Sequence, residues 1–114
     1  MSLVNHQIIF AKNVVELINY IFSKNYAVTL GEAFRTLEQA KLYAQRGKGV
    51  ANSLHCKRLA IDLNLFSIKD DTYTYLTKSE DYEEFGKYWE MLHKKNRWGG
   101  RFKIGDGNHF QMLD

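Results

Sequence analysis

Two short stretches of this chain bring together side chains that can hold a metal and move a proton. The run Ser53-Leu54-His55-Cys56-Lys57-Arg58-Leu59-Ala60-Ile61-Asp62 sets a histidine and an aspartate seven positions apart, and Asp106-Gly107-Asn108-His109 sets an aspartate and a histidine three apart. Zinc accepts neutral imidazole nitrogen and carboxylate oxygen, and a catalytic zinc site keeps three protein ligands so that water takes the fourth position. Two histidines and one aspartate meet that need and leave a carboxylate to spare.

The elements that carry these residues must obey a geometric constraint. In an unbroken strand, residues seven apart point to opposite faces and lie about 23 Å apart, at roughly 3.3 Å per residue, so they cannot share a metal. A bend is therefore predicted between His55 and Leu59, with His55 at a loop end and Asp62 on a strand. From Leu59 to Phe66 the chain alternates Leu59, Ile61, Leu63 and Leu65 against Ala60, Asp62, Asn64 and Phe66, the pattern of a central strand with two distinct faces. A last strand is predicted over His109 to Met112, with His109 and Gln111 on one face and Phe110 and Met112 on the other.

The remaining elements follow from periodicity and capping. Val14, Val15, Leu17, Ile18, Ile21 and Phe22 predict an amphipathic helix from Ala11 to Ser23. A short strand follows at Tyr26 to Leu30. Thr36 and Gln39 form a capping-box pattern and Gly47 lies where a helix would be stopped, which brackets a second helix of about ten residues and leaves Arg35 in the turn before it. Gly47 to Ser53 reads as a loop, Lys69 to Thr72 as a hairpin turn, and Tyr73 to Leu76 as the returning strand. Ser79 is predicted to cap a third helix that ends in His93, Lys94, Lys95 and Arg97 and is broken by Trp98, Gly99 and Gly100. Gly105 to Asn108 forms a turn. The fold class expected is α+β, one domain over residues 1–114, with a small antiparallel sheet carrying the site and about three helices around it.

The order Ser-x-His, six residues, Asp, then a Trp-Gly-Gly turn and Asp-x-x-His-Phe resembles the zinc peptidases that include D-Ala-D-Ala dipeptidases and carboxypeptidases and phage endolysins cleaving L-Ala-D-Glu bonds. The likeness spans roughly residues 25 to 112, and its text is closest to the endolysin branch. It implies His55, Asp62 and His109 as zinc ligands and Asp106 as general base or acid. It also implies Arg35 as stabiliser of the developing oxyanion and Ser53 as a substrate contact. The implied substrate is the stem peptide of bacterial peptidoglycan. One departure stands out: the family often has glycine three residues after the first histidine, where this chain has Arg58.

Composition narrows the alternatives. The chain has 114 residues, 45% hydrophobic and 25% charged, with a net charge of +3, ordinary for a folded enzyme. Its basic residues are scattered, as on a solvated surface, and form no nucleic-acid stripe. The single cysteine, Cys56, excludes an internal disulfide and a CxxC pair, and it is placed outside the site as a small buried hydrophobe. His6 and His93 read as structural, and Tyr73, Tyr75 and Tyr82 as packing residues. No signal peptide or membrane span is visible. The expectation is a monomer made in the cytoplasm that acts on the cell wall, reaching it through a phage-encoded pore if it is a lysin, with no membrane insertion and no nucleic-acid partner. Two other classes compete: a non-catalytic, zinc-stabilised binding module, for example for nucleic acid, and a metal nuclease. A structural zinc is normally closed by four protein ligands, which weighs against the first.

Overall fold

The computed structural model describes residues 2–47, 49 and 53–114 of the chain. In order they form helix α1 (Leu3–Ser23), strand β1 (Tyr26–Leu30), helix α2 (Leu37–Gln45), strands β2 (Ala60–Lys69) and β3 (Thr72–Leu76), helix α3 (Glu83–Leu92), and strands β4 (Asn96–Trp98) and β5 (His109–Met112). The class is α+β. Of the loop predicted at Gly47 to Ser53, residues 48 and 50–52 lie outside the described residues.

Strand β2 organises the sheet. Its outer part pairs antiparallel with β1, Val28 opposite Leu65, and with β3, Phe66 opposite Tyr75. Its first residues pair with β5, which sets Asp62 opposite His109, and β4 lies beyond β5. The hairpin from β2 to β3 turns through Asp70 and Asp71, both at positive φ, as a two-residue turn of the primed type requires.

Alternation along β2 divides the molecule. Ile61, Leu63 and Leu65 are buried against Phe10, Leu17 and Ile21 of α1 and Phe85 and Trp89 of α3, so burial of these side chains fixes the register. Asp62 consequently points to the other side. The same division holds in β5, where Phe110 and Met112 are fully buried in the core.

Three predicted elements differ. Helix α1 begins at Leu3, with Ser2 as its cap accepting from the Asn5 N–H at 3.2 Å. The missed turns bury His6 and Phe10, a stripe concealed by counting histidine as polar. Ser79 caps no helix. It opens a 3₁₀ turn, Ser79–Tyr82, and its Oγ accepts from the Gly107 N–H at 3.0 Å. Helix α3 ends at Leu92 with His93 extended, because residues 96–98 pair with β5 as β4, a tertiary contact that overrides local helix preference. The Trp98 indole is wedged between Gly86 and Gly100, where an added Cβ would come within 2.1 Å of the ring. Tyr82 packs as predicted, whereas Tyr73 and Tyr75 are exposed.

Candidate metal centre and active site

The bend required between His55 and Asp62 is a 3₁₀ turn, Leu54–Lys57, followed by Arg58 in the left-handed region at φ 56° and ψ 38°. Ser53 caps this turn by accepting the His55 N–H at 3.2 Å. Arg58 thus occupies the conformation for which glycine is the default residue. Its guanidinium lies 4.1 Å above the Phe34 ring, a contact that offsets part of the backbone cost. The chain then enters β2, and Asp62 is held from both sides: its N–H donates to the Glu32 carbonyl at 3.0 Å, and its carbonyl accepts from Gly31 at 2.8 Å.

The second segment arrives through a glycine-rich loop. Asp106 N–H donates to the Gly99 carbonyl at 2.9 Å, and His109 N–H to the Asp106 carbonyl at 3.1 Å. The Trp98 indole N–H is anchored on the Gly107 carbonyl at 2.7 Å. Gly99 is required by close approach, since a Cβ there would stand 2.2 Å from the Asp106 carbonyl oxygen and 2.8 Å from His109 Cβ.

His55, Asp62 and His109 converge, with one donor atom from each lying within 4.8 Å of the others. His55 Nε2 is 3.4 Å and His109 Nδ1 3.2 Å from Asp62 Oδ1. Donors bound tetrahedrally at about 2.1 Å stand roughly 3.4 Å apart, so the set fits one zinc ion. The outward nitrogen of His109, Nε2, meets Gln111 Oε1 at 2.7 Å. The corresponding nitrogen of His55, Nδ1, is buried without a hydrogen-bond partner among the described residues.

The electrostatics favour a negative Asp62. Burial alone would raise its pKa, but hydrogen bonds from His109 and His55 outweigh that effect and bring it to about 2. Burial pulls His109 the other way, and its hydrogen bonds to Asp62 and Gln111 win, so its pKa is raised. Asp106 stands apart from the three donors, its Oδ2 4.0 Å from His109 Nδ1. Burial raises its pKa against the opposing influence of His109 and, more weakly, Arg35.

The three donors, Asp106, Arg35 and Ser53 all line one cleft of about 370 Å³, together with the apolar Phe102 and Ile104. Arg35 is nearly buried, held by Glu32 and stacked 4.9 Å from the Tyr43 ring. Cys56 lies outside the donor cluster and is only partly buried, its Sγ directed to the Thr36 carbonyl. His6 pairs with Asp114, and His93 accepts from the Lys95 N–H. Glu32 and the partner role of Gln111 escaped the sequence reading. The i,i+3 spacing of Glu32 to Arg35 was the one local signal for the former.

A family model described as D-alanyl-D-alanine carboxypeptidase matches residues 46–112, more than half of the chain. Among solved structures, the L-Ala D-Glu endopeptidase ChiX of Serratia marcescens matches with a TM-score of 0.69 and 17% identity, over 90% of this chain and 79% of that one. At that identity the likeness is one of fold. No curated protein sequence matches the chain.

Proposed function

The chain belongs to the D-alanyl-D-alanine carboxypeptidase family of peptidases, and from that premise we propose that it is a zinc peptidase cutting the stem peptides of bacterial peptidoglycan. The observation that carries the reading is the convergence of His55 Nε2, Asp62 Oδ1 and His109 Nδ1 in a cleft that also holds a carboxylate outside the donor set. Three donors with an adjacent free carboxylate suit a catalytic site better than a closed structural one, which disfavours a zinc-stabilised binding module.

In this reading His55, Asp62 and His109 hold the metal. When bound, zinc supplies Lewis acidity that acidifies water and polarises a carbonyl. Asp106 accepts the proton of the attacking water and delivers it to the leaving amine, a task its raised pKa suits. Arg35, held in the cleft wall, directs positive charge to the oxygen of the scissile carbonyl as that oxygen becomes anionic. Ser53 accepts from the His55 N–H and keeps its own hydroxyl proton for a substrate acceptor.

Two bonds are the candidate targets. The L-Ala-D-Glu bond is favoured by the fold of ChiX, and the D-Ala-D-Ala bond by the description of the family. Mass spectrometry of fragments released from purified peptidoglycan separates them: the first cleavage frees peptides beginning with D-Glu, the second frees single D-Ala. The action proposed is at the cell wall.

The mechanism is tested by two variants. Asp106→Asn should keep zinc and fold while losing about 10² to 10⁴ in rate, the usual worth of a positioned acid or base. His109→Ala should lose the metal and all activity. Full lytic activity in Asp106→Asn, or full zinc occupancy in His109→Ala, would refute the assignment.

A further inference from the structure

We propose that Glu32, outside the donor set, is the positioning carboxylate of this site, a single oxygen of it orienting both the His55 imidazole and the Arg35 guanidinium. Glu32 Oε1 lies 2.6 Å from Arg35 Nε and 2.5 Å from a terminal nitrogen of the same guanidinium. It also lies 3.8 Å from His55 Nδ1. The Glu32 backbone is tied to the site as well, since its carbonyl accepts the Asp62 N–H at 3.0 Å, and the Arg35 N–H donates to the His55 carbonyl at 3.2 Å. Glu32 therefore touches one proposed ligand through the backbone and faces another through its side chain. It does not line the cleft, so it acts through its neighbours.

The inference rests on the zinc reading above. With Nε2 of His55 turned towards Asp62 at 3.4 Å, the imidazole binds a metal through that nitrogen and carries its proton on Nδ1. A ligating histidine almost always donates that second N–H to a carboxylate, carbonyl or water, which fixes the tautomer and the ring plane. His109 meets the rule through Gln111. His55 Nδ1, buried and without a partner among the described residues, has Glu32 Oε1 as the carboxylate facing it, about 1 Å beyond hydrogen-bond length. A shift of about 1 Å in the Glu32 carboxylate would close the gap. The same oxygen then couples the metal ligand to the oxyanion-stabilising cation.

The test measures zinc affinity by competition with a chromophoric chelator, and kcat and KM at saturating zinc, for wild type, Glu32→Ala and Glu32→Gln. Glu32→Ala should weaken zinc binding by about 10 to 100-fold, the usual cost of losing such a partner. It should also lower kcat with little change in KM, because Arg35 is left unheld. Glu32→Gln keeps an acceptor oxygen in the same place and should recover part of the zinc affinity. A merely structural Glu32 would lower the melting temperature of both variants and leave the zinc affinity of the folded protein unchanged. If Glu32→Ala does not fold, the isosteric Glu32→Gln decides alone: zinc affinity and kcat both equal to wild type overturn the proposal. Wild type that binds no zinc overturns the zinc reading itself, and this inference with it.

Discussion

The segment from His55 to Asp62 and the segment from Gly99 to His109 each bring one histidine and one aspartate to the same cleft, and they are built in opposite ways. The first contains no glycine. It bends through a 3₁₀ turn and a left-handed Arg58, then runs straight into the central strand, so that both its proposed metal donors are fixed by the core and the sheet. The second has glycine at positions 99, 100, 105 and 107 and is closed by backbone hydrogen bonds of the loop upon itself. Its histidine is buried, while its aspartate stays about half exposed. Under the proposed mechanism the difference separates two demands: metal donors need rigid placement, whereas a proton-transfer group must stay at the open side of the cleft where substrate would arrive.

The largest loss is expected at Gly99. A methyl group there meets the Asp106 carbonyl and His109 Cβ at once, so Gly99→Ala should displace the proposed base and the proposed ligand together. Overpacking of this kind costs about 1 to 3 kcal/mol, and a shift of roughly 1 Å in the reacting groups costs on the order of 10²-fold in rate. Denaturation midpoints and turnover at saturating zinc check both numbers. A variant with wild-type stability and turnover would mean that the close approach at Gly99 does not fix Asp106 and His109 in place.

Protonation of His109 and Asp62 gives a smaller effect. The pKa of His109 is raised above its ordinary value of 6.5 and that of Asp62 is lowered to about 2. The raised His109 adds stability to the metal-free protein that is fully present below about pH 6.5 and lost as pH rises through its folded pKa. The lowered Asp62 adds stability present above about pH 3.9 and lost as pH falls towards 2. Zinc binds only neutral imidazole, so its affinity should fall by at least about tenfold per pH unit below the raised pKa of His109, while Asp62 contributes no proton in that range. Chelator competition across this range measures the slope. An affinity independent of pH would remove His109 from the ligand set.

The positions of these groups were legible in the sequence where strand alternation governs them. Asp62 between Ile61 and Leu63, and His109 between Asn108 and Phe110, could be assigned a face because period-2 burial leaves each one choice. The need for a bend after His55 followed from strand rise alone. What stayed hidden depends on contacts remote in sequence. The start of α1 was obscured because a buried histidine, His6, carries its stripe. Strand β4 carries the local signature of a helix end, because His93, Lys94, Lys95 and Arg97 match a helix dipole, and only pairing with β5 makes it a strand. Glu32 was invisible because its approach to His55 exists only once β1 has paired with β2.

The smallest effect concerns Arg58, and it tests whether a segment without glycine is strained. A non-glycine residue in the left-handed region costs roughly 1 to 2 kcal/mol, so Arg58→Gly should relieve strain at φ 56°. Two terms oppose that gain. Glycine loses more backbone freedom on folding, worth about 0.4 to 1 kcal/mol. The stacking of the guanidinium on Phe34 at 4.1 Å is worth about 0.5 to 1 kcal/mol at an exposed site. The terms nearly cancel, and Arg58→Gly should shift stability by less than about 1 kcal/mol with zinc affinity unchanged. Arg58→Val lacks both the stacking and the permissive backbone and should be destabilised by about 1 to 3 kcal/mol. Denaturant unfolding of the two variants measures the balance. Equal stability of Arg58→Gly and Arg58→Val would show that the turn does not hold the left-handed conformation in solution, and the rigid delivery of His55 would then need another cause.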